Sequence, residues 1–306
     1  MISIALASYN GTKYLREQLD SILSQTYQDF ELIICDDCST DNTWQILEEY
    51  AQKDSRIKIF ENEKNQGFKK NFEKAISVCK GEYIAMSDQD DIWTENHLEV
   101  LLENIGDNDL VCGNAWLADE NGNSTKTSLL GCSKFDYLPS KQEDWFFFLL
   151  HGNIFQGTAC LFSNRIVKQA FPIPAEVKYH DYWIAMMSVL NCGVKYVDIP
   201  ILFYRQHGDN VTTNVKWSII NRIKIIKIYK DYNRLQINIL QSIVPYCSDI
   251  HNQDLIENAI KYFTRFNSIL RICNIPYFVR NYKRIYLSNS IKVFVMRFIK
   301  KFLLFQ

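Results

Sequence analysis

The sequence lacks the segments that would carry it into or across a membrane. No window approaches the roughly 18 apolar residues that a membrane-spanning helix needs. The longest central apolar run, Trp145 to Leu150, is short and is followed by His151, Gly152 and Asn153. The first residues enter a strand pattern directly, without the basic and apolar regions of a cleavable signal. These absences predict a cytoplasmic protein.

The sequence also lacks the cysteine spacing of a zinc site. It has nine cysteines, of which Cys35 and Cys38 form a CxxC, but no second pair has zinc-like spacing. That CxxC straddles two aspartates at the end of a predicted strand, whereas a redox CxxC usually opens a helix. Without a secretory signal, reduced thiols are expected. Internal repeats and low-complexity linkers are absent as well.

Net charge is low, at −1, but the two parts of the chain differ strongly. Residues 1–214 carry 18 Lys and Arg against 31 Asp and Glu, a net charge of −13. Residues 215–306 carry 16 against 4, a net charge of +12, in a sequence of helical pattern. The change predicts a domain boundary near 214 and a helical, basic C-terminal extension with an anionic partner. Nucleic acid is a poor candidate, because the acidic domain would repel it.

The end of this extension, residues 291–305, has an amphipathic pattern. At 100° per residue its basic and apolar side chains fall on opposite halves of a helix. The basic ones are Lys292, Arg297, Lys300 and Lys301; the apolar ones are Phe294, Val295, Phe298, Ile299 and Phe302. This pattern favours a helix lying on an anionic membrane surface, at the inner face of the plasma membrane. The alternative is a helix packed on the first domain.

The first 105 residues alternate between strand and helix patterns. Strands are predicted at 2–8, 31–36, 56–61 and 82–87, and helices at 12–24, 39–50 and 68–79. This order predicts an α/β fold, with a Rossmann-like, mostly parallel sheet flanked by helices. Residues 106–214 are less regular, with strands at 158–162 and 194–204, a helix at 181–190 and a turn at Asn121-Gly122.

Polar side chains collect where the predicted strands end. Ser8-Tyr9-Asn10, Asp36-Asp37 and Asp88-Gln89-Asp90-Asp91 each follow a strand, at the edge where such sheets bind ligands. Three carboxylates within four residues repel one another unless a cation or hydrogen bonds compensate. Oxygen ligands suit Mg²⁺ or Mn²⁺, which also bind diphosphates. The alternative is an acidic loop that caps the helix starting near Thr94.

Several of these segments together resemble the inverting glycosyltransferases of family 2, which have the GT-A fold. The matching segments are Ala7-Ser8-Tyr9-Asn10, 21–27, 30–41, Asn65-Gln66-Gly67-Phe68 with Asn71, and 81–91. The resemblance implies transfer of a sugar from a nucleoside-diphosphate sugar to a lipid-linked or polysaccharide acceptor in cell-surface polysaccharide biosynthesis. A UDP- or dTDP-sugar is the expected donor, and dTDP-L-rhamnose is the narrowest expectation. Residues 1–105 then form the nucleotide-binding half of a catalytic domain, and 106–214 the acceptor half.

The resemblance also implies roles for individual residues. Contacts to the donor nucleotide are expected from Ala7, Ser8, Tyr9, Asp36, Asp37, Asn65, Gly67 and Asp88. Asp88, Asp90 and Asp91 correspond to the DxD element, which binds Mg²⁺ or Mn²⁺ and the diphosphate.

The second half supplies three further candidates. Asp181, in Tyr179-His180-Asp181-Tyr182-Trp183, corresponds to the segment where the family has its catalytic base. A helix N-cap is the alternative. The segment 204–210 resembles one in bacterial polysaccharide glycosyltransferases, rhamnosyltransferases among them. There His207 would bind the metal and Arg205 the diphosphate. Gln156-Gly157-Thr158 is a candidate lining of the acceptor or sugar pocket.

Two other classes remain open at this stage. A nucleotidyltransferase also uses paired aspartates with Mg²⁺, but it would have a Gly-rich or basic phosphate loop, for which Gly11-Thr12-Lys13 is a poor substitute. A non-catalytic sugar-nucleotide or membrane-binding module would not need Asp181 and a full DxD element. Donor hydrolysis without an acceptor separates both classes from a glycosyltransferase.

Overall fold

The structure of the chain is a computed structural model that describes residues 1–133, 138–150, 152–208, 234–247 and 250–267. The amphipathic segment 291–305 lies outside these residues, so the membrane-binding helix stays a prediction. Within the described residues, no helix is long and apolar enough to cross a membrane.

The described residues form one mixed sheet flanked by helices. Its strands are β1 (Ile2–Ser8), β2 (Phe30–Asp36), β3 (Ile57–Glu61), β4 (Tyr83–Ser87), β5 (Ile92–Trp93), β6 (Leu110–Ala118), β7 (Ser124–Ser128), β8 (Cys160–Ser163) and β9 (Val194–Arg205). The order across the sheet is β3-β2-β1-β4-β8-β6-β9-β5, and β7 pairs with β6.

Nine helices occur within the described residues. They are α1 (Leu15–Leu23), α2 (Thr43–Lys53), α3 (Phe68–Ser77), α4 (His97–Ile105), α5 (Gln142–Leu149), α6 (Val167–Ala170), α7 (His180–Leu190), α8 (which includes 234–243) and α9 (Ile250–Asn267). Short 3₁₀ turns occur at Gly157–Ala159, Asn164–Ile166 and Val244–Tyr246.

The α/β prediction is confirmed, and the reason is visible in the burial pattern. Every residue of β2 is buried, as expected for a strand covered on both faces, and α1 buries Leu15, Leu19 and Ile22 along one stripe. Strands β3, β2, β1 and β4 pair in parallel, so their carboxyl ends meet at one edge. The antiparallel pairs of β4 with β8, of β8 with β6 and of β5 with β9 were not foreseen.

Strand register brings the candidate residues together. Ser8 is opposite Asp36 in the pairing of β1 with β2, and Leu6 is opposite Ser87 in the pairing of β1 with β4. On the far side, the antiparallel pairing of β5 with β9 aligns Ile92 with Phe203. The end of β9 therefore returns alongside the acidic segment that follows β4.

The chain divides into two compact units, whose limits differ from a single cut at 214. One unit contains Met1–Ser133, Ile154–Ile173 and Lys178–Val211, and it holds every candidate residue named above for the donor, the metal and the base. The other includes α5, Pro174–Val177 and the helical residues after 233. The predicted division into 1–214 and 215–306 stays a prediction.

Candidate active site

The first wall of the site is the pair of aspartates that ends β2. Asp36 is fully buried: its Oδ1 accepts hydrogen bonds from the hydroxyls of Ser8 at 2.8 Å and Ser39 at 2.6 Å. Its Oδ2 accepts the Ser39 N–H at 2.8 Å. Asp36 therefore fixes the loops after β1 and β2, and its contact with the nucleotide stays a prediction.

Asp37 is also buried, with only 2% of its surface exposed. Its Oδ1 accepts from the Asn62 amide at 2.7 Å and the Gln66 N–H at 2.9 Å, and its Oδ2 accepts the Gly67 N–H at 2.8 Å. If Asp37 binds a nucleoside base as predicted, an N–H of that base would share Oδ2 of Asp37 with the Gly67 N–H. Gly67 has φ +84°, a left-handed conformation that glycine tolerates, and it directly precedes α3.

A buried amide network behind Asp37 was missed by sequence reasoning. The Asn62 amide that binds Asp37 also donates to Asn71 Oδ1 at 2.9 Å. Asn71 in turn donates to the carbonyl oxygen of Cys35 at 2.7 Å. The signal available in the sequence was Asn71 itself, a polar residue among the apolar positions of a predicted helix.

The remaining donor candidates surround this wall. Ala7 pairs with Cys35 within the sheet, whereas Tyr9 is 44% exposed beyond the strand end. Asn65 is exposed, and its side-chain oxygen accepts the Gly67 N–H at 3.1 Å. Tyr9 therefore presents the largest accessible apolar surface among these candidates.

The acidic loop after β4 carries unneutralised charge. Burial raises the pKa of Asp88 to about 7, and the negative charges of Asp90 and Asp181 add to the rise. Asp90 Oδ2 lies 2.8 Å from His207 Nε2. The loop thus brings Asp90 beside His207, and the charges of Asp90 and Asp181 both act on Asp88.

Asp91 differs from its two neighbours. Its side chain is completely buried, and its Oδ1 accepts the backbone N–H of Arg205 at 3.1 Å. Burial raises the pKa of Asp91 well above its usual range, with further contributions from Asp90 and Asp88. Asp91 ties the acidic loop to β9 through its Oδ1, and its place among the metal ligands stays a prediction.

Arg205, whose contact with a diphosphate stays a prediction, is held by contacts within the protein. It is expected to hold a diphosphate, but its side chain is only 2% exposed. The guanidinium donates to the carbonyl oxygens of Asp90 at 2.7 Å and Glu120 at 2.9 Å, and it pairs with the carboxylate of Glu17. Arg205 therefore supports the acidic loop from behind.

The aromatic ring of Tyr14 contacts both Arg205 and His207. The Arg205 guanidinium carbon lies 4.6 Å from the ring centroid of Tyr14, and the His207 ring lies 4.8 Å from the same ring. Tyr14 and Glu17 were not identified from the sequence, because their role follows from the return of β9 to the start of α1.

Asp181 lies in the first turn of α7, where Tyr179 is the N-cap residue. Its Oδ1 accepts the N–H of Tyr182 at 2.6 Å. The chain approaches it closely at Gly157, where an added Cβ would lie 3.6 Å from the Asp181 Cβ and 3.2 Å from His180 Nε2. The segment Gln156-Gly157-Thr158 thus packs against Asp181, as a pocket lining would.

The four predicted metal ligands do not converge on one point. Among the residues that the structure describes, no group of three or more His, Cys, Asp and Glu side chains is arranged to hold a metal ion. The donor chemistry nevertheless suits a divalent cation, because the Asp90 carboxylate adjoins an imidazole and the pKa of Asp88 is raised by burial and by two further carboxylates.

The chain has a fold similar to that of solved GT-A glycosyltransferase structures. Staphylococcus aureus TarS 1–349 in complex with UDP has a TM-score of 0.58 and 19% identity, covering 99% of this chain and 79% of that one. The mannosyltransferase PcManGT from Pyrobaculum calidifontis, in complex with GDP-Man and Mn²⁺, has a TM-score of 0.54 and 15% identity, with the same coverage.

The sequence profile of glycosyl transferase family 2 matches residues 3–171, and the chain belongs to this family. Glycosyltransferase MJ1057 of Methanocaldococcus jannaschii is 39% identical over 76% of this chain and 77% of that protein. Escherichia coli WfgD, a UDP-Glc:alpha-D-GlcNAc-diphosphoundecaprenol beta-1,3-glucosyltransferase, is 30% identical over 63% and 74%. GlyG of Streptococcus pneumoniae is 41% identical, but over 39% of this chain and 40% of its own length.

Proposed function

We propose that the protein is an inverting glycosyltransferase that moves a sugar from a UDP- or dTDP-sugar to a glycan or lipid-linked glycan acceptor. The observation that carries this proposal is the acidic loop at the carboxyl edge of the sheet, where Asp90 lies 2.8 Å from His207 and where the charge of Asp181 adds to the rise in the pKa of Asp88. A nucleotidyltransferase would share the paired aspartates but would also need a Gly-rich or basic phosphate loop, for which Gly11-Thr12-Lys13 is a poor substitute.

Asp88, Asp90 and His207 would hold a Mg²⁺ or Mn²⁺ ion. When bound, such an ion neutralises the charge that develops on a leaving diphosphate. The Mn²⁺ in the complex of the mannosyltransferase PcManGT supports this choice of cofactor. Arg205 keeps the backbone of Asp90 in place by donating to its carbonyl oxygen.

Asp181 would act as the base. The acceptor hydroxyl gives its proton to the Asp181 carboxylate while the acceptor oxygen bonds to the anomeric carbon. The bond from that carbon to the diphosphate breaks, and the nucleoside diphosphate leaves with the electron pair. Attack opposite to the leaving group inverts the anomeric centre. The half-buried position of Asp181 beside Gly157 is consistent with access for a hydroxyl.

The nucleoside would bind at the end of β1, with its base against the exposed Tyr9. The UDP in the TarS complex and the UDP-Glc in the name of WfgD support a pyrimidine nucleotide. Within this class dTDP-L-rhamnose is our narrowest proposal for the donor, on the resemblance of the segment around Arg205 and His207 to rhamnosyltransferases.

The acceptor would be a lipid-linked or growing surface polysaccharide. WfgD is named for a diphosphoundecaprenol-linked sugar acceptor. An enzyme with such a substrate works at the inner face of the plasma membrane, where the basic segment 291–305 would bind anionic lipid. Cosedimentation with anionic and neutral vesicles tests this proposal. Replacing the four basic residues of segment 291–305 by glutamine should abolish binding of the protein to anionic vesicles.

A nucleotide screen followed by activity assays tests the function. We expect UDP or dTDP with Mn²⁺ to raise the melting temperature, while the nucleotide alone has a much smaller effect. Asp88→Asn and a chelator should each abolish sugar transfer, with the fold intact by circular dichroism. Transfer that survives both treatments would overturn the metal-assisted mechanism, and thermal protection by purine nucleotides alone would overturn the donor class.

A further inference from the structure

Gln89, the middle residue of Asp88-Gln89-Asp90, holds the backbone of Tyr9. Its Oε1 accepts the Tyr9 N–H at 2.9 Å, and its Nε2 donates to the Tyr9 carbonyl oxygen at 3.0 Å. One carboxamide thus satisfies both main-chain groups of a single residue.

The position of this pair in the sheet explains why a side chain is needed. Main-chain pairing of β1 with β4 ends at Leu6 and Ser87, where the chain turns into the acidic loop. Beyond that point Tyr9 has no strand beside it. A carboxamide carries the same donor and acceptor as a peptide group, so Gln89 replaces the missing main-chain partner of Tyr9.

A glycine provides the space for this side chain. A Cβ on Gly11 would lie 2.3 Å from Gln89 Oε1 and 2.8 Å from its Cδ, closer than any real contact. Gly11 itself is held, because its N–H donates to the Thr43 hydroxyl at 2.7 Å. The loop after β1 therefore cannot move aside, and any residue larger than glycine at position 11 would displace the Gln89 side chain.

We propose that Gln89 is a positioning residue that couples the nucleoside-binding Tyr9 to the metal-binding loop. This inference rests on the proposed functions of Tyr9 in binding the nucleoside and of the acidic loop in binding the metal. Fixing Asp88 and Asp90 on a cation fixes Gln89 between them, which in turn fixes the backbone of Tyr9. Metal binding and nucleoside binding then strengthen each other, even for a nucleoside that has no phosphate to touch the metal.

The test uses UDP and dTDP to select the preferred base, and then the matching nucleoside, uridine or thymidine, in ligand-observed NMR titrations with and without Mn²⁺. In the wild type we expect Mn²⁺ to tighten nucleoside binding about tenfold, the free energy of one to two hydrogen bonds. In Gln89→Met, which keeps length and loses both hydrogen bonds, the gain should fall below about twofold. Gln52→Met, the same change on an exposed face of α2, is the matched control.

Gly11→Ala provides a second variant that leaves Gln89 in the chain. Gly11→Ala should remove the Mn²⁺-dependent gain in nucleoside affinity, as Gln89→Met does. In the double variant Gly11→Ala, Gln89→Ala, the change at Gly11 should lower nucleoside affinity by less than about twofold beyond Gln89→Ala alone, because Gly11→Ala acts by displacing the Gln89 side chain. Melting temperatures verify that each variant is folded.

The possible results distinguish a failure of the proposed coupling from a failure of the proposed function. An undiminished gain in folded Gln89→Met, or no gain in a wild type that binds UDP or dTDP, overturns the coupling and leaves the proposed function standing. Failure of the wild type to bind either nucleoside diphosphate with Mn²⁺ overturns both. Independent, additive losses in Gly11→Ala and Gln89→Ala would also overturn the coupling.

Discussion

Arg205 binds the acidic loop through its backbone, because its Nε–H donates to the carbonyl oxygen of Asp90 at 2.7 Å. The carboxylate of Asp90 is left to face His207. The buried guanidinium of Arg205 thus holds the backbone of the loop that carries three aspartates. It does so without neutralising the Asp90 carboxylate, which faces His207.

Replacing Arg205 by lysine should therefore damage both stability and activity. Lysine keeps the charge but has no planar fork, so it cannot serve Asp90, Glu120 and Glu17 together. We expect a loss of about 2–4 kcal/mol in the free energy of unfolding and at least a tenfold loss of sugar transfer. Urea unfolding and a donor-turnover assay measure these. A lysine variant of wild-type stability would show that the fork is not needed.

Asp181→Asn separates chemistry from binding. Removing the base should lower transfer by a factor of about 10² to 10⁴, because the acceptor hydroxyl then has no group to take its proton. Nucleotide binding, measured by calorimetry with Mn²⁺, should change little. Asp107→Asn, a carboxyl-to-amide change at an exposed position, serves as the control. Near-normal transfer by Asp181→Asn would identify another group as the base.

His97 should make the free energy of unfolding depend on pH. Its ring is buried and stacks on Trp93 at 3.8 Å, and burial lowers the pKa of His97 to about 3. The unfolded chain takes up a proton near pH 6.5, whereas the folded protein does not, so the contribution is complete above pH 6.5 and is lost as pH falls toward 3. The slope is up to about 1.4 kcal/mol per pH unit.

His97→Gln should flatten this dependence. Unfolding free energies from pH 4.5 to 7.5 would then decline less steeply on acidification than those of the wild type, although glutamine lowers stability at neutral pH. Comparing the two slopes removes the contributions of the acidic loop. Parallel curves for both proteins would mean that His97 is not buried as a neutral ring.

Gly81, in the turn before β4, tests the packing of the parallel sheet. A Cβ there would lie 2.5 Å from the Ser3 backbone nitrogen, which cannot move without disturbing β1. We expect Gly81→Ala to lower the free energy of unfolding by about 2–4 kcal/mol. Gly208→Ala, where the added Cβ meets nothing within 4 Å, should be close to neutral. Chemical denaturation compares them, and equal stabilities would contradict the tight approach of the Gly81 turn to β1.

The parallel half of the sheet followed from the sequence, because each element carries a local pattern that its environment requires. The apolar run of β1 was predicted with its observed limits, Ile2–Ser8, and α3 was predicted from its first residue, Phe68. The antiparallel strands are short: β5 has only two residues and was not predicted, and β8 has four and was predicted as a strand at 158–162 without its pairing. Strands this short leave no periodicity, and they form because their neighbours in the sheet are already in place.

The sequence by itself determined that β1, β2 and β4 end in Ser8, Asp36 and the acidic run after Ser87, since chain order and hydrophobic pattern fix which residues leave a parallel strand at its carboxyl end. Only the tertiary structure decided which polar groups face outward. Asp90 and Asp91 are adjacent in sequence, yet Asp91 is buried against the backbone of Arg205 and Asp90 faces His207. That choice depends on β9, more than a hundred residues away, because Arg205 at its end donates its backbone N–H to Asp91 and its guanidinium to the backbone of Asp90.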